Sequence, residues 1–193
     1  MTAISFTLDE LAWKSWIATV SLESASPEQL EVLEESNPKA KTSPYYLCLV
    51  HAPEVLRQRS KLFNTVMYGP RGLPRAEREL AAVAESRING CPYCASVHSR
   101  LFAQLTKEPE VMQRIFKEGV GTQLEGRRRA IVDYAAALTA SPPAATKAHV
   151  DALRKAGLTE GEILDVTQVV AMFAWANRLM QTLGEPERLP AAG

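Results

Sequence analysis

Residues 79–98 read ELAAVAESRINGCPYCASVH, and this stretch decides the fold. The apolar side chains of its first half recur at helical spacing and are Leu80, Val83, Ala84 and Ile88. Asn89-Gly90 is a strong helix stop, and Pro92 suits the first turn of a new helix. The stretch therefore predicts two helices joined by a short turn, the first of which begins at Pro74.

Helix signals continue outward in both directions. Helix starts are predicted at Ser26-Pro27 and at Pro53, and the later helices are predicted near 108–118, 125–139, 146–156 and 160–183. The apolar side of the Pro53 helix is predicted to comprise Val55, Leu56, Leu62, Phe63 and Val66. Residues 17–22 are a candidate extended segment, but no hairpin turn separates β-branched runs. The predicted fold class is all-α, in a single-domain helical bundle.

The predicted organisation is an N-terminal arm over 1–25, a helical domain over 26–184 with its cysteine-bearing core at 74–105, and a tail over 185–193. Trp13 and Trp16 in the arm need burial, on this chain or on a neighbouring subunit.

The charge of the chain limits its partners. Its 193 residues include 22 Lys+Arg and 22 Asp+Glu, and a net charge of zero argues against binding to nucleic acid or to an anionic membrane. The sequence shows neither a secretory signal nor an uninterrupted apolar run long enough to cross a membrane, so we expect a cytoplasmic protein.

Cys91 and Cys94 form a C-x-x-C pair, and His98 follows one helical turn after Cys94. At roughly 100° per residue, the three side chains fall within about 60° of arc. The pair lies at a helix start, where free N–H groups and the helix dipole favour a thiolate over a thiol. A thiolate attacks disulfides and peroxides, and a neighbouring imidazole could accept or return the proton.

Glu79 lies on the preceding helix, at the edge of its apolar stripe. If the Asn89-Gly90 turn folds the two helices antiparallel, Glu79 lies level with His98. Its carboxylate would then orient the imidazole, and the proton relay would comprise Glu79, His98 and Cys94. The alternative is a solvated surface charge.

Other roles for the cysteine pair remain open on spacing alone. Two thiols and a histidine offer three zinc ligands. A fourth ligand could come only from Cys48, His51 or His149, so we predict neither a metal nor a cofactor. Two inert buried cysteines are a further alternative, although Gly90 and Pro92 favour a functional helix start. Cys48 itself is predicted to fill the core.

The pattern E-L-x-x-x-A-x-x-x-I-N-G-C-x-x-C-x-x-x-H resembles the core of the AhpD-like alkylhydroperoxidases, within the carboxymuconolactone decarboxylase superfamily. The strong part of the resemblance covers about residues 50–120, and a weaker likeness extends to Phe173, Asn177, Arg178 and Leu179. Chain length and the tryptophan-bearing arm are similar to the branch of uncharacterised peroxidase-related proteins.

The resemblance implies an all-helical antioxidant enzyme that forms a homo-oligomer (dimer, trimer or hexamer). It implies that Cys94 becomes a sulfenic acid while reducing a hydroperoxide to an alcohol, and that Cys91 then condenses with it to a disulfide. Glu79 and His98 would be the proton relay. A dithiol reductant, such as a lipoylated or thioredoxin-like protein, would restore the thiols.

The chain departs from the family pattern at Tyr93, where the best-studied members carry a histidine. A phenol is a poor base at neutral pH, although it can donate a hydrogen bond to a thiolate or a peroxide oxygen. Asn177 and Arg178 interrupt an apolar helix. We interpret them as hydrogen-bonded ties between helices or subunits, with Arg178 facing the thiols as the alternative.

The sequence thus predicts a thiol-dependent alkylhydroperoxide reductase. Two alternatives stay open: a non-enzymatic thiol redox sensor, and a superfamily enzyme that acts on a small organic acid or lactone with Cys94 in a non-redox role.

Overall fold

The centre of the fold is a helical hairpin made of α4 (Arg75–Ile88) and α5 (Pro92–Thr106) in the computed structural model, which describes residues 5–189. Gly90 between them has a φ of 71°, a left-handed conformation that glycine adopts without steric cost. Pro92 then occupies the first turn of α5, where its missing N–H leaves no hydrogen bond unmade. The predicted turn and both helices are therefore confirmed.

Seven further α-helices, one short 3₁₀ helix and two strands complete the described part of the chain. The helices are α1 (Pro27–Ser36), α2 (Pro44–Leu49), α3 (Pro53–Tyr68), α6 (Pro109–Glu118), α7 (Gly126–Thr139), α8 (Lys147–Lys155) and α9 (Glu160–Thr182). The strands are β1 (Leu11–Ser15) and β2 (Gly184–Arg188), and the 3₁₀ helix is Ala40–Thr42. The all-α fold class is confirmed.

Helix α4 is buried on all sides rather than along one stripe. Every residue from 78 to 86 is buried, because α5, α7 and α9 all pack against α4. Such a helix is expected only in the middle of a bundle. Glu79 is therefore wholly buried, and the alternative of a solvated surface charge is wrong.

The rotation of α3 differs from the prediction. On α3 the buried face comprises Leu56, Arg59, Ser60, Phe63 and Met67, whereas Val55 and Leu62 are exposed. On α5 small and polar side chains around the cysteine pair are buried, while Leu105 at the far end is exposed.

The two termini of the described chain pair with each other. Strands β1 and β2 are antiparallel, with Trp13 opposite Pro186 and Ser15 opposite Gly184. The predicted extended segment at 17–22 is thus wrong, because the strand lies at Leu11–Ser15. Strand β2 covers the first part of the predicted tail over 185–193, of which residues 190–193 lie outside the described residues.

Trp13 is buried through this pairing, and its Nε1 donates a hydrogen bond to the carbonyl oxygen of Met180 at 2.9 Å. Trp16 remains exposed. The arm therefore packs on its own chain through one of its two tryptophans. No helix among the described residues is long and apolar enough to cross a membrane.

Candidate active site

The cysteine pair lies at the start of α5, within a small core cluster. Cys91 is the N-cap residue, Cys94 lies in the first turn, and both thiols are free. Their sulfur atoms are 2.9 Å apart, and both residues are buried together with Trp13, Tyr45 and other side chains. The two sulfurs are thus already in contact.

This contact shifts the pKa values of the two thiols in opposite directions. Hydrogen bonding to Cys94 lowers the pKa of Cys91. The same hydrogen bond, together with burial, raises the pKa of Cys94 well above that of an ordinary thiol. The first proton therefore leaves Cys91, and the remaining S–H of Cys94 is shared between the two sulfurs. A thiolate on Cys94 requires that this proton move to Cys91 or to another base.

Glu79 and His98 are in direct contact, as the antiparallel hairpin predicts. The Nδ1 atom of His98 lies 2.5 Å from Oε2 of Glu79, and Arg75 donates from Nε to Oε1 of the same carboxylate at 2.6 Å. A carboxylate only accepts hydrogen bonds, so Nδ1 carries the proton and Nε2 is left as the basic nitrogen. Phe173 packs edge-on against the imidazole at 4.5 Å between ring centroids and limits its rotation.

A cavity of about 590 Å³ opens beside these groups. Cys94 and His98 line it, whereas Cys91 and Glu79 lie behind them. The aromatic side chains of its wall are Trp13, Tyr45, Tyr46, Phe63, Tyr68, Tyr93 and Phe173. Its size and its mostly apolar wall are typical of a site for a small organic molecule.

Tyr93 lines the same cavity next to Cys94. Burial raises the pKa of its phenol, so the hydroxyl stays protonated at neutral pH. It can donate a hydrogen bond toward the cavity but cannot replace the base that a histidine would supply.

Arg59 is a residue of the site that was not predicted from the sequence. This residue lines the cavity from α3 and is only 7% exposed. A sequence signal was present, because Arg59 follows Leu56 by three residues and precedes Phe63 by four, which places it on their helix face.

Asn177 and Arg178 have different surroundings. Asn177 is wholly buried, and its Nδ2 donates to Oγ of Ser86 at 3.1 Å, so it joins α9 to α4. Arg178 is exposed, donates to the carbonyl oxygen of Ala174 in its own helix, and does not line the cavity. The alternative that Arg178 faces the thiols is therefore wrong.

Cys91, Cys94 and His98 are three possible zinc ligands by their spacing in the sequence. Within the part of the chain that the structure describes, no group of three or more His, Cys, Asp or Glu side chains is arranged to hold a metal ion.

The fold and the site together define an all-helical protein with a buried dithiol beside a histidine–glutamate pair. Residues 53–120 match the carboxymuconolactone decarboxylase family. A comparison with curated proteins gave no match. The match over residues 53–120 and the shared fold support a member of the AhpD-like proteins of the carboxymuconolactone decarboxylase superfamily.

Several solved structures share the fold. One is an uncharacterized peroxidase-related protein with an alkylhydroperoxidase AhpD core from Ralstonia eutropha JMP134, with a TM-score of 0.75 and 26% identity over 88% of this chain and 90% of that one. An uncharacterized peroxidase-related protein from Silicibacter sp. TM1040 gives a TM-score of 0.68 and 26% identity over 86% of this chain and 88% of that one. The debrominase Bmp8 gives a TM-score of 0.71 and 18% identity over 88% of this chain and 90% of that one. This similarity concerns the fold alone.

Proposed function

We propose that this protein is a thiol-dependent reductase of organic hydroperoxides, with Cys94 as the peroxidatic cysteine and Cys91 as its partner. The observation that carries the proposal is the position of the two sulfurs. Cys94 lines the cavity, whereas Cys91, whose sulfur is 2.9 Å from that of Cys94, does not line it. An incoming peroxide would thus meet Cys94 first. The superfamily and its peroxidase-related members support an antioxidant or peroxidase-related enzyme.

The first step begins when the proton of Cys94 moves to Nε2 of His98, the ring nitrogen that carries no proton. The Cys94 thiolate then attacks the terminal oxygen of the hydroperoxide, an S–O bond forms, and the O–O bond breaks. The sulfur is oxidised to a sulfenic acid, and the alkoxide takes up a proton to leave as an alcohol. In this proposal His98 returns that proton from Nε2 to the alkoxide, while Glu79 keeps accepting the hydrogen bond of Nδ1.

The second step forms the disulfide. The Cys91 thiolate attacks the Cys94 sulfur, an S–S bond forms and the S–O bond breaks. The sulfenic oxygen leaves as hydroxide, which takes a proton from solvent to become water. The two sulfurs are close enough that the helix start need not rearrange. An external dithiol, lipoylated or thioredoxin-like, then reduces the disulfide and is itself oxidised.

A single-turnover thiol count tests the proposal. One equivalent of cumene hydroperoxide should remove two thiols from the reduced protein and yield one cumyl alcohol. Cys94→Ser should abolish the reaction, whereas Cys48→Ser should not change it, because Cys48 does not line the cavity. Loss of thiols at the rate of free cysteine, or an unchanged rate in Cys94→Ser, would contradict the proposal.

The redox-sensor alternative makes a different prediction for the same protein. A sensor would be oxidised equally by oxidised glutathione and by the hydroperoxide, and it would not turn over when an excess dithiol such as dihydrolipoamide is supplied. Sustained consumption of cumene hydroperoxide with dihydrolipoamide would exclude that alternative.

A further inference from the structure

Arg59 is a buried cation in the wall of the cavity. It is only 7% exposed, and its guanidinium carbon lies 4.5 Å from the ring centroid of Phe63 and 5.5 Å from that of Tyr46. These rings hold the guanidinium in place without neutralising it.

The charge of Arg59 has no carboxylate partner among residues 5–189. Within that part of the chain, Arg59 donates one hydrogen bond, from Nη1 to the hydroxyl of Tyr46 at 3.1 Å. Arg57 on the same helix is more exposed and yet contacts Glu31, Glu35 and Glu54. Because a guanidinium has five N–H donors and a buried unpaired charge is costly, Arg59 is arranged to bind an anion from outside the chain.

Tyr45 supplies a second unsatisfied group at the same wall. The side chain lines the cavity, and its hydroxyl is buried with no hydrogen-bond partner within the described residues. The guanidinium of Arg59 lies 5.8 Å from the centroid of the Tyr45 ring. A buried hydroxyl without a partner is also expected to be completed by a ligand.

We propose that the cavity binds an organic acid, with its carboxylate on Arg59 and Tyr45 and its apolar body along the aromatic wall. This inference rests on the proposed function in one respect: the substrate would be a hydroperoxide that carries a carboxylate, with the peroxide group at Cys94. Arg59 is then a substrate-binding residue that sets specificity. Planar bidentate hydrogen bonding is the reason an arginine suits this role.

Binding can be measured without any redox chemistry. Isothermal titration calorimetry on the reduced wild-type protein would compare 4-isopropylbenzoate with its uncharged isostere 4-isopropylbenzamide. The acid should bind about ten- to a hundredfold more tightly, as expected for a charged hydrogen bond in a buried site. Equal affinities, or tighter binding of the amide, would overturn the inference whether or not the protein is a peroxidase.

Variants test whether Arg59 and Tyr45 cause the preference for the acid over the amide. Arg59→Met should abolish the advantage of the acid over the amide, and Tyr45→Phe should reduce that advantage in part. Arg57→Met is the matched control, since it lies on the same helix outside the cavity, and it should retain the full preference. If Arg59→Met does not fold, Arg59→Lys keeps the charge without the planar fork, and it should bind the acid more weakly than the wild type. An unchanged preference in Arg59→Met, or in Arg59→Lys where that variant must be used, would overturn the assignment.

Single-turnover oxidation connects the binding site to the reaction. Cumene hydroperoxide and its 4-carboxy derivative differ only in the carboxylate, and the wild-type protein should react faster with the acid at low peroxide concentration. Arg59→Met should lose that difference, so that the two peroxides react at the same rate in the variant. An equal loss of rate with both peroxides would instead mean that Arg59 acts only on the Cys94 thiol, and it would contradict the inference.

Discussion

At the scale of single residues, Glu79 holds the imidazole of His98 in one orientation. The carboxylate is wholly buried, with Arg75 on one oxygen and His98 on the other. Its charge keeps the proton on Nδ1 and leaves Nε2 free to exchange protons at the cavity.

We expect Glu79→Gln to lower the rate of Cys94 oxidation by about tenfold or more. A neutral amide can donate an N–H to Nδ1 of the imidazole, which places the imidazole proton on Nε2 and removes the basic nitrogen from the cavity. Stopped-flow oxidation by cumene hydroperoxide measures the rate. Glu85→Gln is the control, since Glu85 is a wholly buried glutamate on the same helix that contacts Asn89 and Thr139 instead. A rate in Glu79→Gln equal to that of the control would contradict the relay.

The shared hydrogen bond of the thiols predicts a pH dependence. In the reduced protein with Cys48→Ala, the first thiolate should appear at a pH below the ordinary thiol value of about 8.5, because hydrogen bonding to Cys94 lowers the pKa of Cys91. The second should appear only well above it, because the same contact and burial raise the pKa of Cys94.

Replacing Cys94 with alanine removes that hydrogen bond and leaves the burial of Cys91. The pKa of Cys91 should therefore rise, and its thiolate should appear at a higher pH than the first thiolate of the unreplaced pair. The ultraviolet absorbance of the thiolate measures both titrations. An identical first titration in the two proteins would show that the S–H···S contact does not set the acidity.

At the scale of elements, the turn between α4 and α5 depends on one glycine. Gly90 has a positive φ, and a Cβ atom built on it meets no heavy atom within 4 Å. We expect Gly90→Ala to lower the free energy of unfolding by about 1 kcal/mol, entirely through backbone strain. The melting temperature should fall by about 2–4 °C in a chain of this length.

Gly121→Ala is the matched control for that substitution. A Cβ atom there also meets nothing within 4 Å, but the residue does not have a positive φ. Its melting temperature should stay close to the wild-type value. Equal destabilisation in the two variants would contradict strain at Gly90 as the cause.

The sequence predicted most helices because their signals are local. Prolines at first-turn positions and the Asn89-Gly90 stop act within one or two turns of the chain. The spacing on α3 places Arg59 on the face of Leu56 and Phe63. Its burial was not predictable from that spacing, because Tyr45 and Tyr46, which also pack against it, come from another helix. The contact between Glu79 and His98 could be predicted, since the hairpin that forms it is itself local.

At the scale of the whole molecule, the cavity is assembled from distant parts of the chain. Strand β1, the helices α2, α3 and α5, and the late helix α9 all contribute to its wall. Strand β1 is held there by β2, most of which lies in the predicted tail over 185–193. A site of this kind depends on packing between distant segments, which local sequence patterns do not predict.

Homo-oligomer formation, which the family resemblance implies, has a candidate surface on α9. Leu164 and Trp175 are exposed large apolar residues eleven positions apart, which places them within about 20° of the same helix face. We expect sedimentation to give a multiple of the monomer mass at micromolar concentration. Trp175→Glu should shift the protein toward the monomer, whereas Val55→Glu on α3 should not. A wild-type monomer would contradict this expectation.

The central claim is that Cys94, and not Cys91 or Cys48, receives the peroxide oxygen. The most direct measurement is to oxidise Cys91→Ser with one equivalent of cumene hydroperoxide, trap the sulfenic acid with dimedone, and locate the adduct by peptide mass spectrometry. We expect one adduct per chain, on Cys94. Consumption of the peroxide with the adduct on Cys48, or with no adduct on Cys94, would contradict it.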